Sequence, residues 1–201
     1  MYTIGITGGT GAGKTSALRV LESMGVLTLD CDLIYHELLL NNEDLKSELE
    51  ARFKGVLNNG TVDRRRLGEI VFNDPSALLD LNSITHKYIS AEIARLTSAW
   101  ESQGGTTIAI DAIALIESGR SEQCDFVIGV TAPRETRISR IMARDGITYA
   151  QAEMRINAQK PDSFYIENCD YILDAIYSTP EEFEIVSKEL FEKLIGGTEY
   201  D

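Results

Sequence analysis

Short apolar runs, rich in β-branched residues, alternate along the chain with longer amphipathic stretches. Tyr2-Thr3-Ile4-Gly5-Ile6-Thr7 is the first such run and reads as a buried strand. A helix is predicted over residues 16–24, with Ala17, Leu18 and Leu21 on one side and Gly25 as its C-terminal cap. Residues 26–29, 106–110, 126–130 and 171–173 read as four further strands. Helices are predicted over 133–144, after the capping box formed by Thr148 and Gln151, and from Thr179-Pro180 onward, where Phe183, Val186, Leu190 and Leu194 recur at helical spacing. The end of the chain, 196–201, is expected to fray.

Residues 33–103 have a different rhythm, with no convincing strand. Helical segments are predicted over 33–40, over 43–53 after the Asn41-Asn42 turn, and over 64–72 behind Asp63 as N-cap. Asn58-Asn59-Gly60 reads as a turn. Asp74-Pro75 opens another helix, and Ile89, Ile93, Leu96 and Trp100 keep helical spacing until Gly104-Gly105 stops it. The Trp100 stripe reads as core.

Between the first strand and first helix stands Gly8-Gly9-Thr10-Gly11-Ala12-Gly13-Lys14-Thr15, which fits G-x-x-x-x-G-K-[ST], the P-loop pattern. Strand, glycine turn and helix start are the context this motif needs. Glycines let successive backbone N–H groups turn inward and form an anion-binding nest, and the following helix adds the positive end of its dipole. Gly8, Gly11, Ala12, Gly13, Lys14, Thr15 and Ser16 are therefore expected to hold a nucleoside triphosphate. Lys14 would reach the β- and γ-phosphates, and the Thr15 hydroxyl would bind Mg²⁺. Strands alternating with helices imply a parallel sheet with right-handed crossovers. The expected fold is a P-loop NTPase-type three-layer α/β/α domain. It has a five-stranded parallel sheet, a helical acceptor-binding insert and a small helical lid. Residues 1–32 and 104–201 would form the nucleotide-binding core, with the lid at about 140–165. Residues 33–103 would form the insert.

Composition narrows the partners. The 201 residues are 43% hydrophobic and 25% charged, ordinary for a soluble globular protein. A net charge of −13 argues against a nucleic-acid binder but not against a small anion held by a local cationic cluster. No apolar run approaches the ~20 residues of a membrane span, and the first residues lack the basic region of a signal peptide. Cys31, Cys124 and Cys169 are widely spread with no C-x-x-C pair, which suits reduced thiols in the cytoplasm and argues against zinc.

Two features separate a kinase from a switch or an ATP-driven machine. Asp32 follows the second strand, read as the neighbour of the P-loop strand at the same sheet edge. Its carboxylate is either a base for a substrate hydroxyl, a metal support, or the N-cap of the helix beginning at Leu33. Asp30 is open between capping, metal support and catalysis. Arg137, Arg140 and Arg144 share one helical face and could neutralise a transferring phosphoryl group, or form a solvated stripe paired with Glu135 and Asp145. Arg155 is placed to close over the nucleotide as part of a lid. Asp111, ending its strand, is either a water-mediated Mg²⁺ ligand or a turn cap. Gln159-Lys160-Pro161-Asp162 superficially fits a guanine-reading motif, but Gln stands first and no apolar strand precedes it, so it is discounted.

Taken in order, these elements resemble the dephospho-CoA kinase family. The similarity runs through Ile6 to Thr15, Asp30-Cys31-Asp32-Leu33-Ile34, Gly60-Thr61-Val62-Asp63-Arg64-Arg65-Arg66-Leu67, His86, Leu115-Ile116-Glu117, Arg140 to Asp145, and Arg155-Ile156-Asn157-Ala158-Gln159. It implies MgATP-dependent phosphorylation of the ribose 3′-hydroxyl of dephospho-CoA, the last step of coenzyme A synthesis. It implies Lys14, Asp32, Arg140 and Arg144 as catalytic residues, with Asp32 as base. It implies Asp32, Arg64, His86 and Glu117 on the acceptor side. The protein would work in the cytoplasm as a monomer or small homo-oligomer. There are departures: Lys87 replaces a proline after His86, Ile113 replaces another, and Asp174-Ala175-Ile176 lacks the Asn and Gly expected beside adenine. The alternatives are another small-molecule or nucleotide kinase of the same architecture, and a nucleotide-dependent switch. For the switch, neither a guanine-reading motif nor switch loops are found.

Overall fold

The structure is a computed structural model and describes residues 1–177 and 179–196. In chain order the elements are β1 (Tyr2–Thr7), α1 (Lys14–Ser23), β2 (Leu27–Asp30), α2 (Cys31–Asn41), α3 (Glu43–Arg52), β3 (Leu57–Asn58), β4 (Thr61–Val62), α4 (Arg64–Phe72), α5 (Pro75–Ser102), β5 (Thr107–Asp111), a 3₁₀ turn (Arg120–Gln123), β6 (Phe126–Thr131), α6 (Arg134–Asp145), α7 (Tyr149–Asn157), α8 (Asp162–Asn168), β7 (Tyr171–Asp174) and α9 (Pro180–Gly196). The fraying expected from Gly196 onward lies, apart from Gly196 itself, outside the described residues. The chain forms two compact units, Met1–Leu29 with Gly104–Asp201, and Asp30–Gln103.

The first unit is a three-layer α/β/α arrangement around a five-stranded sheet, in the order β2-β5-β1-β6-β7. β1 pairs in parallel with β5 and β6, and β6 with β7. β5 therefore lies between β1 and β2, and the expectation that the second strand neighbours the P-loop strand is corrected. Sequential strands are often neighbours, but a long crossover returns wherever an edge is open. Side chains alternate across the sheet. Ile4, Ile6, Ile128 and Val130 point to the face covered by Leu18 and Leu21 of α1 and Phe183 and Phe191 of α9, forming the main core. On the other face, Gly5 keeps space for the loop after β5, since a Cβ there would lie 2.7 Å from Leu115 Cδ2.

The second unit packs α2, α3 and α4 against α5. The helical segments expected after Asp74-Pro75 and around Trp100 are one helix of 28 residues. A proline at position 87 would interrupt it. Lys87 lets it continue, and the Lys87 Nζ and Tyr88 hydroxyl both donate to Glu48 Oε2 on α3, at 3.0 and 2.7 Å. The expectation of no strand in this region is also corrected. β3 and β4 form an antiparallel hairpin of two residues per strand, turned by Asn59 (φ 49°) and Gly60 (φ 78°). Strands this short leave no readable alternation.

Candidate active site

The P-loop closes on itself after β1. Gly8, Gly11 and Gly13 take φ of 143°, 75° and 117°, within the left-handed range that L side chains rarely adopt. Gly13 stands at the N-terminus of α1, and no side chain caps that helix. The N–H groups at the very start of α1, before Ser16, and the dipole are thus left for an anion. Lys14 Nζ donates to Gly8 O at 3.0 Å, so the ammonium is folded over its own loop. Thr15 is exposed at the first turn of α1. Ser16 follows half-buried, its N–H donating to Gly13 O at 3.0 Å.

α6 supplies the cationic wall. It starts behind Pro133, and its apolar pair Ile138 and Ile141 seats it on α7, whose Ala152 and Ile156 complete a small core. Arg140 then reaches back to the loop: its NH1 donates to Gly11 O at 3.3 Å and Ala12 O at 3.1 Å, and its NH2 to Ala175 O at 3.0 Å. Arg144 makes a two-point pair with Asp145, from Nε at 2.7 Å and NH2 at 2.9 Å, and Arg155 of α7 binds the same carboxylate. Those guanidinium groups, Arg144 first, hold the Asp145 carboxyl at about 2, below the usual 3.8.

A cavity of about 310 Å³ opens over the loop, lined by its backbone and by Lys14, Thr15, Ile113, Arg140 and Arg144. It carries three cations and no carboxylate in its lining, on a chain with net charge −13. That local inversion of charge marks an anion site.

Arg137 parts company with its two helical neighbours. It is buried to 3% exposure and lies behind the loop, not in the cavity lining. Its Nε donates to Thr10 O at 3.0 Å and its NH1 to Asp162 Oδ1 at 2.8 Å. Gln159, discounted as a base-reading residue, accepts the Thr10 N–H at 2.8 Å. Spacing alone put Arg137 on the face of Arg140 and Arg144, and nothing local told its depth. Asp111 ends β5, in register with Ile6.

The remaining candidates do not share this cavity. Glu117 is exposed in the loop between β5 and the 3₁₀ turn, near enough to Tyr165 for its charge to raise that hydroxyl's pKa, after burial. Asp32, Arg64 and His86 belong to the 30–103 unit. Asp32 is exposed in the first turn of α2. The N-cap of that helix is Asp30, whose Oδ1 accepts the N–H groups of Asp32 and Leu33 at 2.8 and 2.9 Å. Capping thus falls to Asp30 and not to Asp32. Arg64 begins α4 and, with His36, Leu39 and Thr61, lines a cavity of about 210 Å³. His86 is half-buried in the middle of α5.

Glycine cradle, lysine, uncapped helix and arginine wall, set at the end of a central strand of a parallel sheet, define a P-loop kinase with a nucleotide substrate. The family model for dephospho-CoA kinase matches residues 2–181. A dephospho-CoA kinase of Geobacter sulfurreducens is 36% identical over 196 residues, covering 96% of this chain and 98% of that protein. Two solved structures share the fold over nearly the full length. One, of a Thermus thermophilus protein, has a TM-score of 0.80 at 28% identity, covering 95% of this chain and 97% of the other. The other, the dephospho-CoA kinase of Campylobacter jejuni, has a TM-score of 0.69 at 25% identity, covering 98% of each chain. The chain belongs to the dephospho-CoA kinase family.

Proposed function

We propose that this chain transfers the γ-phosphoryl group of ATP to the ribose 3′-hydroxyl of dephospho-CoA, giving coenzyme A and ADP, the last step of coenzyme A biosynthesis. The observation that carries the reading is the cavity over the loop, with Lys14, Arg140 and Arg144 in its lining, in a chain of this family. The 3′-oxygen attacks the γ-phosphorus, the bond to the β-phosphate oxygen breaks, and the hydroxyl proton passes to the carboxylate of Asp32. Loop N–H groups and Lys14 hold the β- and γ-phosphates, while Arg140 and Arg144 meet charge that spreads over the transferring oxygens. Arg64, His86 and Glu117 are assigned to the acceptor.

The donor set fits Mg²⁺ that arrives with the nucleotide. Among the described residues there is no group of three or more His, Cys, Asp or Glu that could hold a metal, while the Thr15 hydroxyl is exposed beside the cradle. Mg²⁺ prefers phosphate oxygens, water and one or two protein oxygens, and when bound it neutralises part of the triphosphate charge. No helix among the described residues is long and apolar enough to cross a membrane. We place the reaction in the cytoplasm, with a monomer or small homo-oligomer as the working form.

The test is acceptor-dependent ADP release with MgATP and dephospho-CoA, run beside AMP, CMP and shikimate. Coenzyme A formed from dephospho-CoA, with the other acceptors near background, is the expected result. Turnover of another acceptor in its place would move the chain to a different small-molecule kinase. ADP at background with every acceptor would overturn phosphoryl transfer to any of these acceptors.

A further inference from the structure

We infer that Gln159 is a positioning residue for ATP binding: its side chain, with Arg137, fixes the shoulder of the phosphate loop from behind. The inference rests on the loop as the nucleotide site, and not on the identity of the acceptor. Thr10 is the third residue of the loop, and both of its backbone groups are taken by side chains far away in sequence. Its N–H donates to Gln159 Oε1 at 2.8 Å and its C=O accepts from Arg137 Nε at 3.0 Å. Arg137 NH2 also donates to Gln159 Oε1, at 3.4 Å, and NH1 to Asp162 Oδ1, at 2.8 Å. One rigid guanidinium therefore ties the loop to Gln159, which follows α7, and to Asp162, the first residue of α8.

Two further observations show that the brace shapes the loop. Arg137 is itself only 3% exposed, so its guanidinium has little water to turn to in place of its three partners. Gly9 sits against it so closely that a Cβ would overlap the guanidinium. The loop therefore has glycine where the brace crosses it, as well as where the nest needs it. With Thr10 held backward, its N–H is spent on the brace, and the turn through Gly11, Ala12 and Gly13 is set before a ligand arrives. Preorganised donors bind phosphate without a cost of reordering. Gln159 is suited to this, since its oxygen accepts from an amide and a guanidinium at once.

The test compares full-length Gln159→Leu, which keeps bulk and loses the acceptor, with Gln159→Glu, which keeps it. ATP affinity is measured by calorimetric titration with Mg²⁺ and no acceptor, beside thermal midpoints and the KM of dephospho-CoA. The expected result is a ~10-fold weaker Kd for ATP in Gln159→Leu, about the net worth of one hydrogen bond. The KM of dephospho-CoA should stay unchanged, and Gln159→Glu should lie within ~3-fold of wild type. A brace that served stability alone would lower the midpoint and leave the Kd of the folded protein where it was; that outcome overturns the inference. So does a Gln159→Glu variant as weak as Gln159→Leu. Should Gln159→Leu fold poorly, Gln159→Asn, which keeps the amide and shortens its reach, is expected to show a smaller loss of ATP affinity, and wild-type affinity there overturns the inference equally. Because no acceptor is present, the titration reads the brace even if dephospho-CoA proves not to be phosphorylated.

Discussion

Asp30 Oδ1 accepts the backbone N–H of Asp32 at 2.8 Å, so the first aspartate of the pair caps α2 and leaves the second one's carboxylate out of that task. The two positions should therefore fail in different ways. Asp30→Ala removes an N-cap and should cost about 1 kcal/mol of stability, with a modest change in turnover. Asp32→Asn keeps the helix and removes the proposed base. It should lower kcat by ~10²-fold or more while ATP affinity stays near wild type. Urea midpoints, kcat and ATP titrations on both variants check this. Full turnover in Asp32→Asn would remove Asp32 from its role.

Arg140 spans three carbonyls on two segments, Gly11 and Ala12 in the loop and Ala175 after β7. A lysine has one compact ammonium and cannot reproduce that fork. Arg140→Lys should therefore keep the charge and lose the geometry, with kcat falling ~10-fold, and Arg140→Ala should fall by ~10²-fold or more. Steady-state kinetics with saturating MgATP separates them. Equal, near-wild-type kcat in both would make Arg140 a structural tie and nothing more.

The parts of this fold that are local in sequence were readable, and those fixed by distant neighbours were not. Strand, glycine turn and Lys14-Thr15 lie within fourteen residues of one another, so the cradle announces itself. The Thr148–Gln151 capping box is likewise local, and the structure has both of its hydrogen bonds. The position of β5 between β1 and β2 depends on a crossover of some seventy residues, and nothing in the strands themselves encodes it. Arg137 has the same spacing as Arg140 and Arg144, yet burial against Thr10, 127 positions away, gives it a different task. Gln159 shows in the local sequence only as a mismatch to a base-recognition pattern, while its partner is a backbone N–H 149 positions away. α8, seven residues long, and the two-residue strands of the hairpin fall below the length at which periodicity speaks.

Cys169 lies behind β6, where a Cβ on Gly129 would come within 2.9 Å of its sulfur. Burial, helped by Asp170, pushes its thiol up to about 11 from 9.0. Only the thiolate is nucleophilic, so a thiol raised this far holds ~100-fold less reactive form near neutral pH. Iodoacetamide at about pH 8 should label Cys169 ~100-fold more slowly in the folded protein than in urea, as read by peptide mass spectrometry. Equal rates would show that the thiol is neither buried nor perturbed.

Asp145 joins the ends of two helices, taking Arg144 beside it and Arg155 from α7. At the C-terminus of α6 a negative charge is unfavourable by itself, so the fall of its carboxyl from 3.8 to about 2 is the work of the two guanidinium groups. A carboxyl depressed on folding contributes stability that is fully present above its unfolded value and disappears as pH falls through the folded one. The contribution of Asp145 should therefore be complete above about pH 4 and fade between 3.8 and about 2. Asp145→Asn cannot titrate, so it should be less stable than wild type at neutral pH by a margin that stays level down to about pH 4. Below that the margin should close. The arginines are half-exposed, so the gap should also narrow in molar salt. Urea midpoints of both proteins at about pH 7, 4.5, 3 and 2 test the sign directly. A gap that widened on acidification would mean that the carboxylate is not the partner these guanidinium groups hold.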